Sequence, residues 1–309
     1  MSGSSGMSVA MKRLTRRIGA ETIGRLPNRA RGGRSIVLCY HSIHPTAPYT
    51  TVTPRRFHQD LEWLGEHAEL VTLRELMSFA GRETDAPRPR VAITFDDGYE
   101  DNLTDAVPIL LELSVPATFF VTVGAVERDP VVLDWLAGLR GLKRADQRFL
   151  SWAQLRELAG AGFDVGSHTL SHPNLAALPK QQVRAELSDS KAKLEHNLGR
   201  PVSSFAYPFG KPRRHFTAAT ASLVEGCGYE RAVSVCFRGV NSHDSPYAIP
   251  RFFAPDRTST LAAMLDGRWD WIGRAQEYLP MPVARLLSPV DFRHDRIGRA
   301  RLGRLPRSP

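Results

Sequence analysis

The chain is poor in cysteine. Its 309 residues include three, Cys39, Cys227 and Cys236. An odd count with no metal-motif spacing excludes a disulfide scaffold and reads as reduced thiols in a cytoplasm. No run of about 18 apolar residues occurs, which excludes an integral membrane helix. There is no GxGxxG turn and no Walker loop, so nucleotide-binding α/β folds lose support. The N-terminus is basic but has no apolar stretch of about 7–15 residues and no small-residue cleavage site, so no secretory signal is expected. Its first six residues, MSGSSG, resemble a cloning linker or an alternative start. Hydrophobic residues make up 42% and charged residues 24%, ordinary for a chain that buries a core without staples.

Positive charge is in excess, but not where a nucleic-acid enzyme would put it. The net charge is +9. Residues 7–34 carry eight Lys/Arg against Glu21, and residues 285–309 carry seven Arg against Asp291 and Asp295, which leaves 35–284 at −3. Nucleic-acid enzymes concentrate positive charge around the site. The expected organisation is a basic extension over 1–34, a catalytic domain over 35–284 and a basic tail over 285–309. Met11, Leu14, Ile18, Ile23 and Leu26 can share one helical face, with Lys12, Arg13, Arg16 and Arg17 mostly elsewhere. That pattern suits a helix resting on an anionic membrane, and a disordered basic arm fits the same residues. A cytoplasmic location is expected, peripheral at the inner membrane surface if the basic ends bind there, with no nucleic-acid partner.

From residue 35 onward, short apolar, β-branched runs read as buried strands: 35–40, 91–95, 117–123, 163–168, 203–207, 231–235 and 248–253. Segments with helical spacing lie between most of them: Phe57, Leu61, Leu64; Leu103, Val107, Leu110, Leu111; Leu155, Leu158; Val183, Leu187, Lys191, Leu194; and 216–224. Thr53 and Ser151 suit N-cap positions. Strand–helix alternation implies parallel strands with helices outside. The fold class is therefore α/β, and about seven parallel strands fit a (β/α) barrel better than an open doubly wound sheet. The barrel forms a single catalytic domain with basic terminal extensions. Residues 124–150 read as an inserted, more polar segment with a short helix near Val131–Leu139.

The predicted strands end in residues that are costly to bury: Tyr40-His41-Ser42, Asp96-Asp97-Gly98, Ser167-His168 with His172, Tyr207-Pro208-Phe209-Gly210, and Arg251. In a parallel barrel such ends converge on one face, where active sites sit. Two adjacent aspartates at a strand end repel and call for a cation, although capping the next helix is a bland alternative. Successive strand side chains point oppositely, so one aspartate can ligate while the other reaches a bound water. Two histidines four apart suit one divalent ion, a weak signal alone. With Asp97 they make an Asp-His-His set that leaves room for water and substrate.

In that order, TFDDGYEDN at 94–102, GSHTLSHPNL at 166–175 and FAYPFG at 205–210 resemble the polysaccharide deacetylase family (carbohydrate esterase family four, the NodB-homology domain) over roughly 35–256. The resemblance implies a distorted (β/α) barrel that removes N-acetyl groups from amino sugars with a divalent metal, zinc being the expectation. It implies Asp97, His168 and His172 as metal ligands and Asp96 as general base. The backbone N–H of Phe209 is expected to stabilise the oxyanion. The common family pattern has an arginine before Pro-Tyr and a C-terminal Leu-x-x-His, and this chain lacks both. It is more similar to the branch with a YHSI-like first strand and a YPFG motif, which acts on poly-N-acetylglucosamine. That branch points to His41 as the acid, with His215 as competitor. Arg251 is expected to replace the missing arginine, a structural ion pair being the alternative. Tyr207 and Tyr99 are expected to touch the substrate, an N-acetylated glycan or glycolipid. The rival functions are hydrolysis of a non-sugar amide on the same fold and a catalytically silent carbohydrate-binding protein.

Overall fold

The computed structural model describes residues 33–47, 52–79, 88–255 and 257–278. The basic extension up to residue 32, with its amphipathic pattern, and the tail over 285–309 lie outside them. Among the described residues no helix is long and apolar enough to cross a membrane.

The strands are β1 (Ser35–Tyr40), β2 (Glu69–Leu70), β3 (Arg90–Phe95), β4 (Ala117–Val121), β5 (Asp164–Ser167), β6 (Ser204–Ala206), β7 (Arg231–Val233) and β8 (Phe252–Phe253). Seven lie in the order β7-β6-β5-β4-β3-β1-β8, and β2 pairs with the start of β3. Every ladder between them is parallel. Parallel strands are covered on both faces, so they read as near-continuous apolar runs. In β1 and β3 all six residues are buried, in register from Ser35 opposite Arg90 to Tyr40 opposite Phe95.

The helices follow the predicted periodicity. They are α1 (Pro54–His67), α2 (Leu73–Phe79), α3 (Val107–Glu112), α4 (Val123–Val126), α5 (Pro130–Arg140), α6 (Trp152–Gly160), α7 (Lys180–Leu198), α8 (Ala218–Gly226), α9 (Thr258–Leu265) and α10 (Asp270–Tyr278). Thr53 caps α1 and Ser151 caps α6, each side chain accepting a backbone N–H. Alternate residues of β1 divide two cores. Ile36, Leu38 and Tyr40 pack outward with Phe57, Leu61 and Leu64 of α1. Val37 joins Ala92, Phe120, Ala206, Val233 and Ile249 inside the ring, together with Leu73 and Leu76 of α2.

Three expectations change. The strand expected over 248–253 is split, because Pro250 has no N–H to give a ladder. Ile249 bridges Val233 beside β7, and Phe252 and Phe253 pair with β1. One short segment thus touches both edges of the sheet and closes the ring. The strand expected to reach 123 stops at Val121, and α4 begins at Val123. The helix after Asp97 starts as a π-helical turn over Asn102–Ala106, which rotates the face so that Leu111 is 54% exposed.

Candidate metal centre and its acid–base neighbour

β3 ends at Phe95 and the chain leaves the sheet through Asp96, Asp97 and Gly98. The Asp96 N–H still donates to the Tyr40 carbonyl at 2.9 Å. Asp97 then takes φ 75 and Gly98 φ 79. The pleat therefore does not separate the two carboxylates, as the sequence led us to expect; a left-handed turn does. Glycine is required after it, since a Cβ at position 98 would lie 2.9 Å from the Val121 side chain. Neither aspartate is the N-cap of the following helical turn, which starts at Asn102 after Asp101.

Asp97 Oδ1 lies 3.5 Å from His168 Nε2 and 3.4 Å from His172 Nε2. These separations are long for hydrogen bonds. They match a tetrahedral set, where bonds of about 2.0–2.1 Å place donors about 3.4 Å apart. His168 leaves the end of β5, and its Nδ1 pairs with the Ala206 carbonyl at 2.8 Å, which turns Nε2 toward Asp97. His172 sits at φ 57 with its N–H on Thr169 Oγ1 at 2.9 Å. All three side chains are buried. Burial lowers the His168 pKa and keeps it in the neutral, ligating form. Burial alone would raise Asp97, but His172, Arg140 and His41 outweigh it and hold the carboxyl well below its usual range. One carboxylate and two imidazoles whose donor atoms all lie within 4.8 Å of one another fit a divalent cation, with a position left open.

Asp96 faces a different set of groups. Arg251 is fully buried and donates Nη1 to Oδ1 at 2.8 Å and Nη2 to Oδ2 at 2.7 Å. Two more of its N–H groups reach Thr94 Oγ1 and the Ser234 carbonyl, both at 3.0 Å. The Cys39 thiol donates to Asp96 Oδ2 at 3.3 Å. Burial pushes Asp96 up, but Arg251, His168 and His41 outweigh it and leave its pKa at about 2. Burial also pushes the Cys39 thiol well up, so it keeps its proton. Cys39, His41 and Asp96 form a second close cluster of donors. With both Asp96 oxygens on Arg251, this cluster offers a second cation less than the Asp97 cluster does.

The other expected residues fall out differently. His41 is half-buried at the end of β1 within the Asp96 cluster. Phe209 adopts φ 61, and its ring centre lies 4.9 Å from that of His172 and 5.1 Å from that of His215. His215 therefore borders the centre through Phe209, and its Nδ1 accepts the Lys211 N–H at 3.2 Å. Tyr207 and Tyr99 are corrected: neither ring is presented to substrate. Tyr207 is 1% exposed, stacks on Phe216 at 3.8 Å and donates its hydroxyl to the Tyr247 carbonyl. Tyr99 is fully buried and stacks on Phe149. Both are apolar rings with a polar tip that finds its partner inside.

Three residues were not found from the sequence. Cys39 had no motif. Arg140, at the end of α5, donates Nη2 to Asp97 Oδ2 at 2.7 Å. Trp135, on the same helix, donates Nε1 to the His172 carbonyl at 3.0 Å. A basic residue in a last helical turn is ordinary, so Arg140 carried no signal of its own.

The family model described as polysaccharide deacetylase matches residues 83–232. A poly-β-1,6-N-acetyl-D-glucosamine N-deacetylase of Staphylococcus aureus is 26% identical over 216 residues, 67% of this chain and 68% of that one. Among solved structures, IcaB from Ammonifex degensii is 25% identical with a TM-score of 0.62, covering 77% of this chain and 98% of that one. The Streptococcus pyogenes deacetylase PplD, solved with acetate, is 23% identical with a TM-score of 0.62, covering 75% and 98%. The last likeness shows the fold.

Proposed function

We propose that this chain is a polysaccharide deacetylase, in keeping with the family model matched over residues 83–232, and that its strand-end centre hydrolyses the N-acetyl amide of an amino sugar in a polysaccharide, oligosaccharide or glycolipid. One observation carries this reading: two adjacent buried aspartates with separate partners, one facing two imidazoles and one locked to an arginine. Asp97, His168 and His172 would hold the cation, with zinc as the metal of choice for a carboxylate–imidazole set. The cation, when bound, polarises the acetyl carbonyl and acidifies the attacking water.

Asp96 takes the proton of that water. A carboxylate held near pKa 2 is a weak base, so it acts on a water that is already acidic. The Phe209 N–H, turned by its left-handed φ, is our assignment for the developing oxyanion. His41 protonates the departing amine, because an amine anion leaves badly and an imidazolium has a suitable pKa.

The IcaB-like relatives suggest β-1,6-linked N-acetylglucosamine as the substrate class. An acetate-release screen of the zinc-loaded full chain tests this. Release from β-1,6-linked N-acetylglucosamine oligomers supports it. Release only from an acetylated non-sugar amide transfers the function to that substrate, and no release from any amide leaves a binding protein. We further propose that the basic ends hold the enzyme inside the cell at an anionic membrane surface. The full chain should then co-sediment with anionic vesicles at low salt and come off at high salt.

A further inference from the structure

The strand ring is not alone in holding the proposed ligands. Helix α5 lies outside it, between β4 and β5, with both ends fixed. Asp129 Oδ1 accepts the N–H groups of Val131 and Val132 at 2.8 and 3.3 Å, and Gly141 stops the helix at φ 67. Val132 and Leu136 pack with Tyr99, Ala125 and Phe149 into a small core separate from the other two. Two side chains of this rigid helix reach ligand residues. Arg140 donates to Asp97 Oδ2 at 2.7 Å, its guanidinium 5.1 Å over the Tyr99 ring. Trp135 donates to the His172 carbonyl at 3.0 Å.

We propose that Arg140 and Trp135 are positioning residues for the centre: Arg140 occupies one oxygen of Asp97 so that the other alone reaches the cation, and Trp135 pins the backbone that carries His172. The proposal rests on Asp97, His168 and His172 being the ligand set. A carboxylate with both oxygens free can chelate a cation. It would then fill the position that hydrolysis needs open. Arg140 prevents this with one charge-assisted hydrogen bond. Asp97 and His172 also share a backbone need. Their φ values of 75 and 57 are ones that L residues rarely adopt, so each ligand requires an outside hold. His168 needs no help from the helix, because the Ala206 carbonyl already orients its ring. Asp97 and His168 thus have outer partners on the side chains themselves, whereas His172, whose Nδ1 has no hydrogen-bond partner among the described residues, is held by Trp135 through its backbone.

The test loads Co²⁺ into the full chain and into Arg140→Met, Arg140→Lys, Trp135→Phe and His168→Ala. Affinity is read by chelator competition, coordination by visible absorption, and folding by a metal-free melt. Wild type should bind one Co²⁺ with the intense bands of four-coordinate cobalt. Arg140→Met should weaken those bands as Asp97 turns chelating, and lose affinity by about tenfold. Arg140→Lys, which can donate to the same oxygen, should restore the bands in part. Trp135→Phe keeps an aromatic ring and loses the N–H, and should lower affinity by a smaller factor with the bands unchanged. Wild-type affinity and bands in Arg140→Met and Trp135→Phe, with no binding in His168→Ala, would mean that α5 is scaffold alone and would overturn the proposal. Wild-type binding in His168→Ala would instead sink the ligand set, and the proposal with it. Should Arg140→Met not fold, Arg140→Lys and Trp135→Phe decide by the same readouts.

Discussion

Asp96 and Asp97 are chain neighbours, 3% and 5% exposed, and each has an arginine. The arginines do opposite things. Arg251 takes both oxygens of Asp96, while Arg140 takes one of Asp97 and leaves the other between two imidazoles. Both acids stay ionised in the interior because each has a cationic partner. What separates the two carboxylates is how many oxygens the arginine leaves free, not charge or burial, and the base and ligand roles we propose for them rest on that difference. Asp101, four residues on, supplies the control. Its donors are neutral: Ser42 Oγ at 2.6 Å, Ile43 N at 3.0 Å and Asn102 Nδ2 at 3.2 Å. Burial prevails there and raises its pKa to about 6.

The sharpest break between the two aspartates should come from paired variants. Asp97→Ala or His168→Ala should lose cation binding and at least about a thousandfold in turnover together. Asp96→Asn should keep cation binding and lose about 10²–10⁴ in kcat. Metal retained by an inactive but folded Asp97→Ala would erase the distinction. Next, Arg251→Met should destabilise the fold by about 3–5 kcal/mol in denaturant titration, since it strands a buried carboxylate. Arg140→Met should cost less, because Arg140 is 11% exposed and Asp97 keeps the histidines.

A smaller effect should separate the two histidines. His41→Ala should lower kcat about 10²-fold on an unactivated N-acetyl amine and recover on an acetanilide with a good leaving amine. His215→Ala should change kcat by less than about tenfold; the reverse ranking would move the acid role to His215. The smallest effect concerns Asp101. Its folded pKa is raised from 3.8, so its contribution is complete below that value and disappears as pH rises through about 6. Stability in urea should therefore step down between about pH 4 and 6, and Asp101→Asn should flatten the step.

Much of this arrangement was legible because buried strands and the polar residues at their ends announce themselves. The six-residue run Ser35–Tyr40 is one buried strand, and the segments after Phe95 and Ser167 carry the aspartates and histidines to one face. Arg251 was legible as a charge in an apolar run. What stayed hidden depends on contacts distant in sequence. Arg140 meets Asp97 across 43 positions and Cys39 meets Asp96 across 57, with no periodicity linking either pair. Tyr207 and Tyr99 misled because a tyrosine in a motif looks the same whether its hydroxyl faces solvent or the Tyr247 carbonyl. The two aspartates do face apart, but through the positive φ at Asp97 rather than through strand alternation.

The break at Pro250 also has a consequence in time. Asp96 and Arg251 lie 155 residues apart. At synthesis rates of about 5–20 residues per second, the arginine leaves the ribosome roughly 8–30 s after the aspartate. Until then the ring has two open edges, and Asp96 has no guanidinium to be buried with. The nascent barrel cannot close early around its own chemistry; the last strand to arrive brings both the closing ladder and the counter-charge.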